Sequence, residues 1–253
     1  MKNPKNILIT GASSGIGKAL ALEYAAPGIC LMLIARNDER LTDVADTCRN
    51  CGAMVECATL DVQDSDAMAA WIACQDDLHP IDLAIANAGI SAGTAGGDES
   101  AEQARRIFSV NVEGTLNTLH PIIPSMAGRR RGQLALMASM AAFRGMPGAP
   151  AYSASKGAVR LYGEALRGEL APEGVEVSVI CPGFVKSRIT DANRFFMPLL
   201  MPAEKAAKRI RRGLEKNQAR IAFPRRMYFF AWLMGALPPA WTDLLMARLP
   251  KKA

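Results

Sequence analysis

Six short apolar runs alternate with longer segments of helical periodicity, and this alternation constrains the fold more than any other feature of the chain. The runs span 6–10, 30–35, 54–59, 83–86, 133–137 and 175–181, and a seventh, 220–224, has the same character. Segments 17–24, 41–49, 65–74, 101–126 and 151–170 read as the intervening helices, with a basic helix at 203–216. Strands that are each followed by a helix pair in parallel, and a parallel sheet needs both faces covered. The expected fold is therefore α/β, a doubly wound parallel sheet of six to seven strands flanked by helices. With 253 residues, half of them hydrophobic, the chain fills one core and falls short of two ordinary domains.

The first run ends in Thr10-Gly11-Ala12-Ser13-Ser14-Gly15-Ile16-Gly17, a glycine-rich turn leading directly into a helix. Such a turn lets backbone N–H groups and the helix N-terminus approach a pyrophosphate. The spacing Gly-x3-Gly-x-Gly is one residue longer than the usual Rossmann fingerprint, and it resembles the glycine motif of the short-chain dehydrogenase/reductase family. Further stretches resemble that family in the same order: Asn87-Ala88-Gly89 after the fourth run, Asn111 in the next helix, Ser139 after the fifth run, Tyr152 and Lys156 as Tyr-x3-Lys, and Pro182-Gly183 after the sixth. Together they cover residues 6 to about 190 and imply a Rossmann-type sheet.

Tyr152 and Lys156 are four apart and share one helix face. A neighbouring ammonium is expected to stabilise the phenolate and lower the tyrosine pKa from its usual value near ~10. The resemblance implies that Tyr152 is the general acid or base, that Ser139 holds the substrate oxygen, that Lys156 binds the nicotinamide ribose and that Asn111 holds a water leading to solvent. It implies a cofactor cradle of Gly11, Ser13, Ser14, Gly15, Ile16 and Gly17, an adenine contact at Asp61-Val62, and further contacts at Asn87, Ala88, Gly89, Pro182, Gly183, Val185 and Ser187. At the end of the second run stands Arg36, where a cation suits the 2′-phosphate of NADP and a carboxylate would suit NAD. NADP(H) is therefore expected ahead of NAD(H), with Asp38 read as a cap of the next helix.

Charge divides the chain unevenly. Residues 1–185 hold 15 Lys/Arg against 20 Asp/Glu, whereas 186–253 hold 15 against 4 and also 8 of the 15 aromatics. Within this segment the resemblance implies a substrate lid at about 184–202, whose Phe195-Phe196-Met197-Pro198-Leu199-Leu200-Met201 is apolar enough for an apolar substrate. Residues 1–224 are read as the catalytic domain and 225–253 as an amphipathic helical extension. Its two short apolar helices, interrupted by Pro238-Pro239 and flanked by Arg225, Arg226, Arg248, Lys251 and Lys252, suit either contact with a membrane surface or packing on a subunit. Charges interleaved with apolar stretches do not suit nucleic acid.

Six cysteines without an export signal imply a reducing cytoplasm, and Cys48, Cys51 and Cys57 lack the fourth ligand that a zinc site needs, so no metal is expected. Arg129-Arg130-Arg131 is read as a solvated turn. The function expected is NADP(H)-dependent interconversion of a ketone and a secondary alcohol on a lipid-like small molecule, by a homodimer or homotetramer. Its alternative is a non-catalytic NADP(H)-binding sensor.

Overall fold

Successive side chains of a strand point to opposite faces, so a run that is apolar throughout is buried on both. Ile7, Ile9, Leu31 and Leu33 enter one core and Leu8, Met32 and Ile34 the other. The computed structural model describes residues 1–91, 99–191 and 197–247. Strands β1 (Asn6–Thr10), β2 (Cys30–Ala35), β3 (Met54–Thr59), β4 (Leu83–Ala86), β5 (Gly132–Met137), β6 (Val175–Pro182) and β7 (Arg220–Phe223) form one sheet in the order β3-β2-β1-β4-β5-β6-β7. Every neighbouring pair is parallel. The chain forms a single Rossmann-like domain, and its order reverses between β1 and β4. In such sheets the crevice at the carboxyl ends beside that switch point takes the ligand.

Helices α1 (Gly15–Tyr24), α2 (Asp38–Asn50) and α9 (Ala203–Glu215) cover one face, with Leu20, Val44 and Ile210 fully buried or nearly so. Helices α3 (Ser65–Leu78) and α7 (Pro150–Leu170) cover the other through Met68, Ile72, Val159 and Leu166. Burying each such side chain contributes roughly 1.5–3 kcal/mol.

Two expectations are corrected and a third is refined. Segment 101–126 is not one helix: it comprises α4 (Ala101–Phe108), a π-helical turn (Ser109–Glu113), α5 (Gly114–Leu119) and, after a turn, α6 (Ile123–Gly128). Pro121 has no N–H to continue α5, and Pro124 sits in the first turn of α6, where none is needed. The cap of α2 is Asn37, whose Oδ1 accepts from Arg40 N at 3.0 Å, while Asp38 lies in the first turn and accepts from Thr59 Oγ1 at 2.7 Å. The arginine run is an exposed turn, as expected, but its side chains are engaged. Arg129 forks onto the buried Asp76 carboxylate at 2.6 and 3.0 Å, Arg131 pairs with Asp82 at 3.0 Å, and Arg130 donates to the Pro172 carbonyl at 2.8 Å.

Beyond β6 lie a short helix α8 (Arg188–Asp191) and a bridge from Val185 to Met201 that closes the loop between them. Phe195 and Phe196 of the expected lid lie outside the described residues. The chain then forms α9 and β7, followed by α10 (Arg225–Ala236) and α11 (Pro239–Ala247). Arg248, Leu249, Lys251 and Lys252 lie outside the described residues.

Candidate active site

A cavity of about 1290 Å³ opens at the carboxyl ends of the strands. One end is backbone. Gly11 is at φ +67°, a conformation that L side chains rarely adopt, and a Cβ on Gly17 would stand 2.3 Å from the Gly11 carbonyl oxygen, so α1 starts against the turn as only glycine permits. Asn87 staples the turn to β4, donating through Nδ2 to Thr10 O at 2.9 Å, while its own N–H and that of Ala88 donate to Thr10 Oγ1 at 3.2 Å each. The N-terminus of α1 beside this turn lines the cavity through Gly15 and Ile16 and is a ready anion site.

Of the residues expected to hold a cofactor, Gly11, Ser13, Ser14, Gly15, Ile16, Arg36, Val62, Asn87, Ala88, Gly89, Tyr152, Lys156, Pro182, Gly183, Val185 and Ser187 line this cavity, as does Ser139. Gly17 acts through packing. Asp61 is absent from the lining: its carboxylate accepts from Gln63 N and Nε2 at 3.1 Å each and stands 3.6 Å from Arg36 Nη1. Arg40 also lines the cavity, and its Nε is buried with no hydrogen-bond partner among the described residues. Sequence reading missed it, although Arg36 and Arg40 are four apart where the chain enters a helix. Two guanidiniums at this end, one with an unanswered donor, fit an anionic dinucleotide.

The middle of the cavity carries the reactive side chains. Ser139 caps a short 3₁₀ turn (Met140–Ala142), its Oγ accepting from Ala141 N at 3.1 Å. That leaves its proton free to donate, and its hydrogen bond to Tyr152 acts to lower the phenol pKa. Burial acts more strongly in the opposite direction, and the Tyr152 pKa is raised, contrary to the expectation of a lysine-lowered value. Lys156 Nζ donates to the Met137 carbonyl at 2.8 Å. Burial in turn lowers Lys156 to about 8.

Asn111 is fully buried behind the cavity wall and does not line it. It sits in the π-helical turn, accepts from Ile90 N at 2.8 Å, and donates to Ile90 O and to Ser155 Oγ at 3.0 Å each. Ser155 passes the link to the Tyr152 carbonyl at 2.9 Å. Helix α7 is further anchored by Glu99, which accepts from Ala151 N at 2.9 Å and so caps an end whose N–H groups lack helical partners. Neither Ser155 nor Glu99 has a sequence signature; both roles depend on distant partners.

The far end of the cavity is apolar and belongs to the C-terminal extension. Met227, Phe230, Ala231 and Met234 of α10 and Met246 of α11 line it, facing Met140 and Phe184. A Cβ on Gly235 would meet the Phe143 carbonyl oxygen at 2.2 Å, so α10 lies directly against the segment after Ser139. Arg144 ties α11 to the same segment, donating to Thr242 Oγ1 at 3.2 Å and pairing with Asp243 at 2.6 Å. The sequence reading had assigned this extension to a membrane or a subunit. Its inner face also walls the cavity, which that reading did not foresee.

A family model described as short chain dehydrogenase matches residues 5–195. An uncharacterised oxidoreductase of Myxococcus xanthus is 37% identical over 246 residues, 97% of either chain. Among solved structures, a short-chain dehydrogenase from Sphingobium yanoikuyae in complex with NADPH aligns with a TM-score of 0.79 at 24% identity over 98% of both chains. A 3-oxoacyl-(acyl-carrier protein) reductase with bound NAD from Brucella melitensis aligns with a TM-score of 0.76 at 25% identity, over 87% of this chain and 89% of its own.

Proposed function

The chain belongs to the short-chain dehydrogenase/reductase family of oxidoreductases, and on that premise we propose that it reduces apolar ketones to secondary alcohols with NADP(H). One observation carries the reading: a single cavity joins the glycine turn, the Ser139, Tyr152 and Lys156 side chains, and a methionine-rich wall.

When bound, the nicotinamide cofactor supplies the hydride for the carbonyl carbon. The chain's own residues would hold the cofactor along the glycine turn, with Arg36 and Arg40 at its 2′-phosphate end, and Lys156 would reach the ribose hydroxyls with the N–H donors that Met137 leaves free. A substrate carbonyl oxygen between Ser139 and Tyr152 accepts a hydrogen bond from the first and a proton from the second. A raised phenol pKa keeps Tyr152 protonated through the neutral range, which suits an acid and therefore reduction. Asn111 and Ser155 position it by fixing α7. The apolar wall holds the rest of the substrate, since apolar area removed from water contributes roughly 25 cal/mol per Å².

Self-association as a homodimer or homotetramer through α4 and α7 belongs to the same reading. Phe108 and Leu161 are exposed on these helices, which pack against each other. Sedimentation velocity tests the oligomer. The function is tested by NADPH oxidation over ketones of increasing apolar size. We expect kcat/KM to rise with size and NADPH to be preferred over NADH; no turnover with any ketone would leave the sensor reading standing.

A further inference from the structure

The geometry points to a second use of the C-terminal extension: the outer face of α10 and α11 lies on an anionic lipid bilayer, and the cavity fills from that surface. The filling step rests on the functional reading above, whereas the docking does not. A helix that is apolar all round belongs in a core, covered on every side. Helix α10 is covered on one side alone, where it lines the cavity and meets Phe143. Its other side exposes Phe229 (62%) and Trp232, and the next helix, α11, exposes Trp241 (74%), Leu244 (71%) and Leu245, while Thr242 and Met246 are buried. Exposed apolar groups scattered singly need no partner, but five large ones on two consecutive helices do.

Charge identifies the partner. Arg225 and Arg226 are exposed at the head of α10, and the sole carboxylate of residues 225–247, Asp243, is already paired with Arg144. An apolar face bordered by cations with no uncommitted acid matches anionic headgroups over hydrocarbon, and tryptophans suit that boundary. A second copy docking on the same face would bring its own arginines and no acid to answer them. At 12 and 9 residues the helices lie in the plane of the surface, and among the described residues no helix is long and apolar enough to cross a membrane.

The cavity reaches the surface at α10. Phe230 both lines the cavity and is 49% exposed, and Pro198 does likewise, followed by the exposed Leu199 and Leu200. Docked on lipid, this rim lets an apolar carbonyl compound pass from the acyl region to Tyr152 without crossing water.

The test uses the full chain and vesicles of phosphatidylcholine, alone or with phosphatidylglycerol. Co-sedimentation with the anionic vesicles, weakened by high salt and by Arg225→Gln/Arg226→Gln, is expected, and Phe229→Ser/Trp241→Ser/Leu244→Ser is expected to lower apparent affinity about tenfold or more. Because three substitutions can disturb folding, the unmodified chain is also tested with brominated phospholipids, which should quench its tryptophan fluorescence. Absent sedimentation, absent quenching, or a correctly folded triple variant that binds as well as the wild type would overturn the docking. So would a dimer that the triple substitution dissociates while vesicles go unbound, since the occupant would then be a second copy. Vesicle binding without turnover of any ketone would overturn the functional reading and leave the docking intact.

Discussion

The two ends of the cavity are built on different principles. The cofactor end is backbone: a turn at positive φ whose Gly11 carbonyl oxygen stands 2.3 Å from where any Gly17 side chain would begin, and an asparagine staple from β4. Such close approaches admit one residue type each and recur at fixed spacing. The far end is side chain, contributed by Met227, Phe230, Met234 and Met246. Any apolar residue of similar volume serves there, so the wall leaves no spacing to read. A rigid, charged ligand thus imposes a pattern on the chain, whereas an apolar ligand imposes only a volume.

Between the two ends sits the chemistry, and its removal should separate binding from turnover most widely. Tyr152→Phe is expected to lower ketone-dependent NADPH oxidation by about 10²–10⁴-fold while leaving the Kd for NADPH, read by fluorescence titration, within about twofold. Equal loss of both would mean that the tyrosine organises the cofactor end instead of serving the reaction.

Lys156 gives the next largest effect, on stability. Its folded pKa is lowered to about 8 from an ordinary 10.5 by burial, so between those values the unfolded chain holds a proton that the folded chain has released. Stability contributed at this position therefore rises from pH 8 to 10.5, and below pH 8 the buried ammonium costs on the order of 3 kcal/mol. Lys156→Met should abolish turnover yet melt higher than the wild type at pH 7, with the difference shrinking as the pH approaches 10.5. A difference in Tm that stays flat with pH would show that the lysine is not desolvated.

Arg36 and Arg40 come third. Replacing both by alanine should reduce the ratio of kcat/KM for NADPH over NADH by about 10- to 100-fold, the loss expected for charge-assisted bonds to a phosphate. An unchanged ratio would place the 2′-phosphate elsewhere.

What the sequence revealed follows the same division. The strands and the Rossmann-like sheet were legible because full burial demands unbroken apolar runs, and Ser139, Tyr152 and Lys156 do share the cavity with the glycine turn. The π-helical turn was not legible, because Asn111 is held by Ile90 and Ser155, 21 and 44 residues away. The pairing of the exposed Arg129 was not legible because its partner Asp76 lies 53 residues back. Arg40 was missed for another reason: it stands within the first turn of α2, past the strand end where the second run places a cation. The direction of the Tyr152 pKa shift was misread because helix spacing brings Lys156 to the same face but does not show how deeply the phenol is buried.

At the far end, Met227→Ala/Met234→Ala should lower kcat/KM for a large apolar ketone by about tenfold, as lost methylenes in a hydrophobic pocket do, while a small ketone and the cofactor change less than about twofold. Uniform loss over all ketones would show that α10 supports Ser139 instead of gripping substrate.

The smallest effect probes whether the two ends are independent. Arg144 is the joint, pairing with Asp243 on α11 at 2.6 Å within five residues of Ser139 in sequence. Asp243 is 65% exposed, so the pair contributes no more than about 1 kcal/mol, and Asp243→Asn should shift Tm only slightly. Its kinetic effect is sharper because α11 carries Met246 into the cavity: KM for a large ketone should rise about two- to threefold with kcat and the NADPH Kd unchanged, the signature of lost uniform binding. If the NADPH Kd rises in step with KM, the clasp couples the ends, and the apolar wall is part of the cofactor site as well as the substrate's.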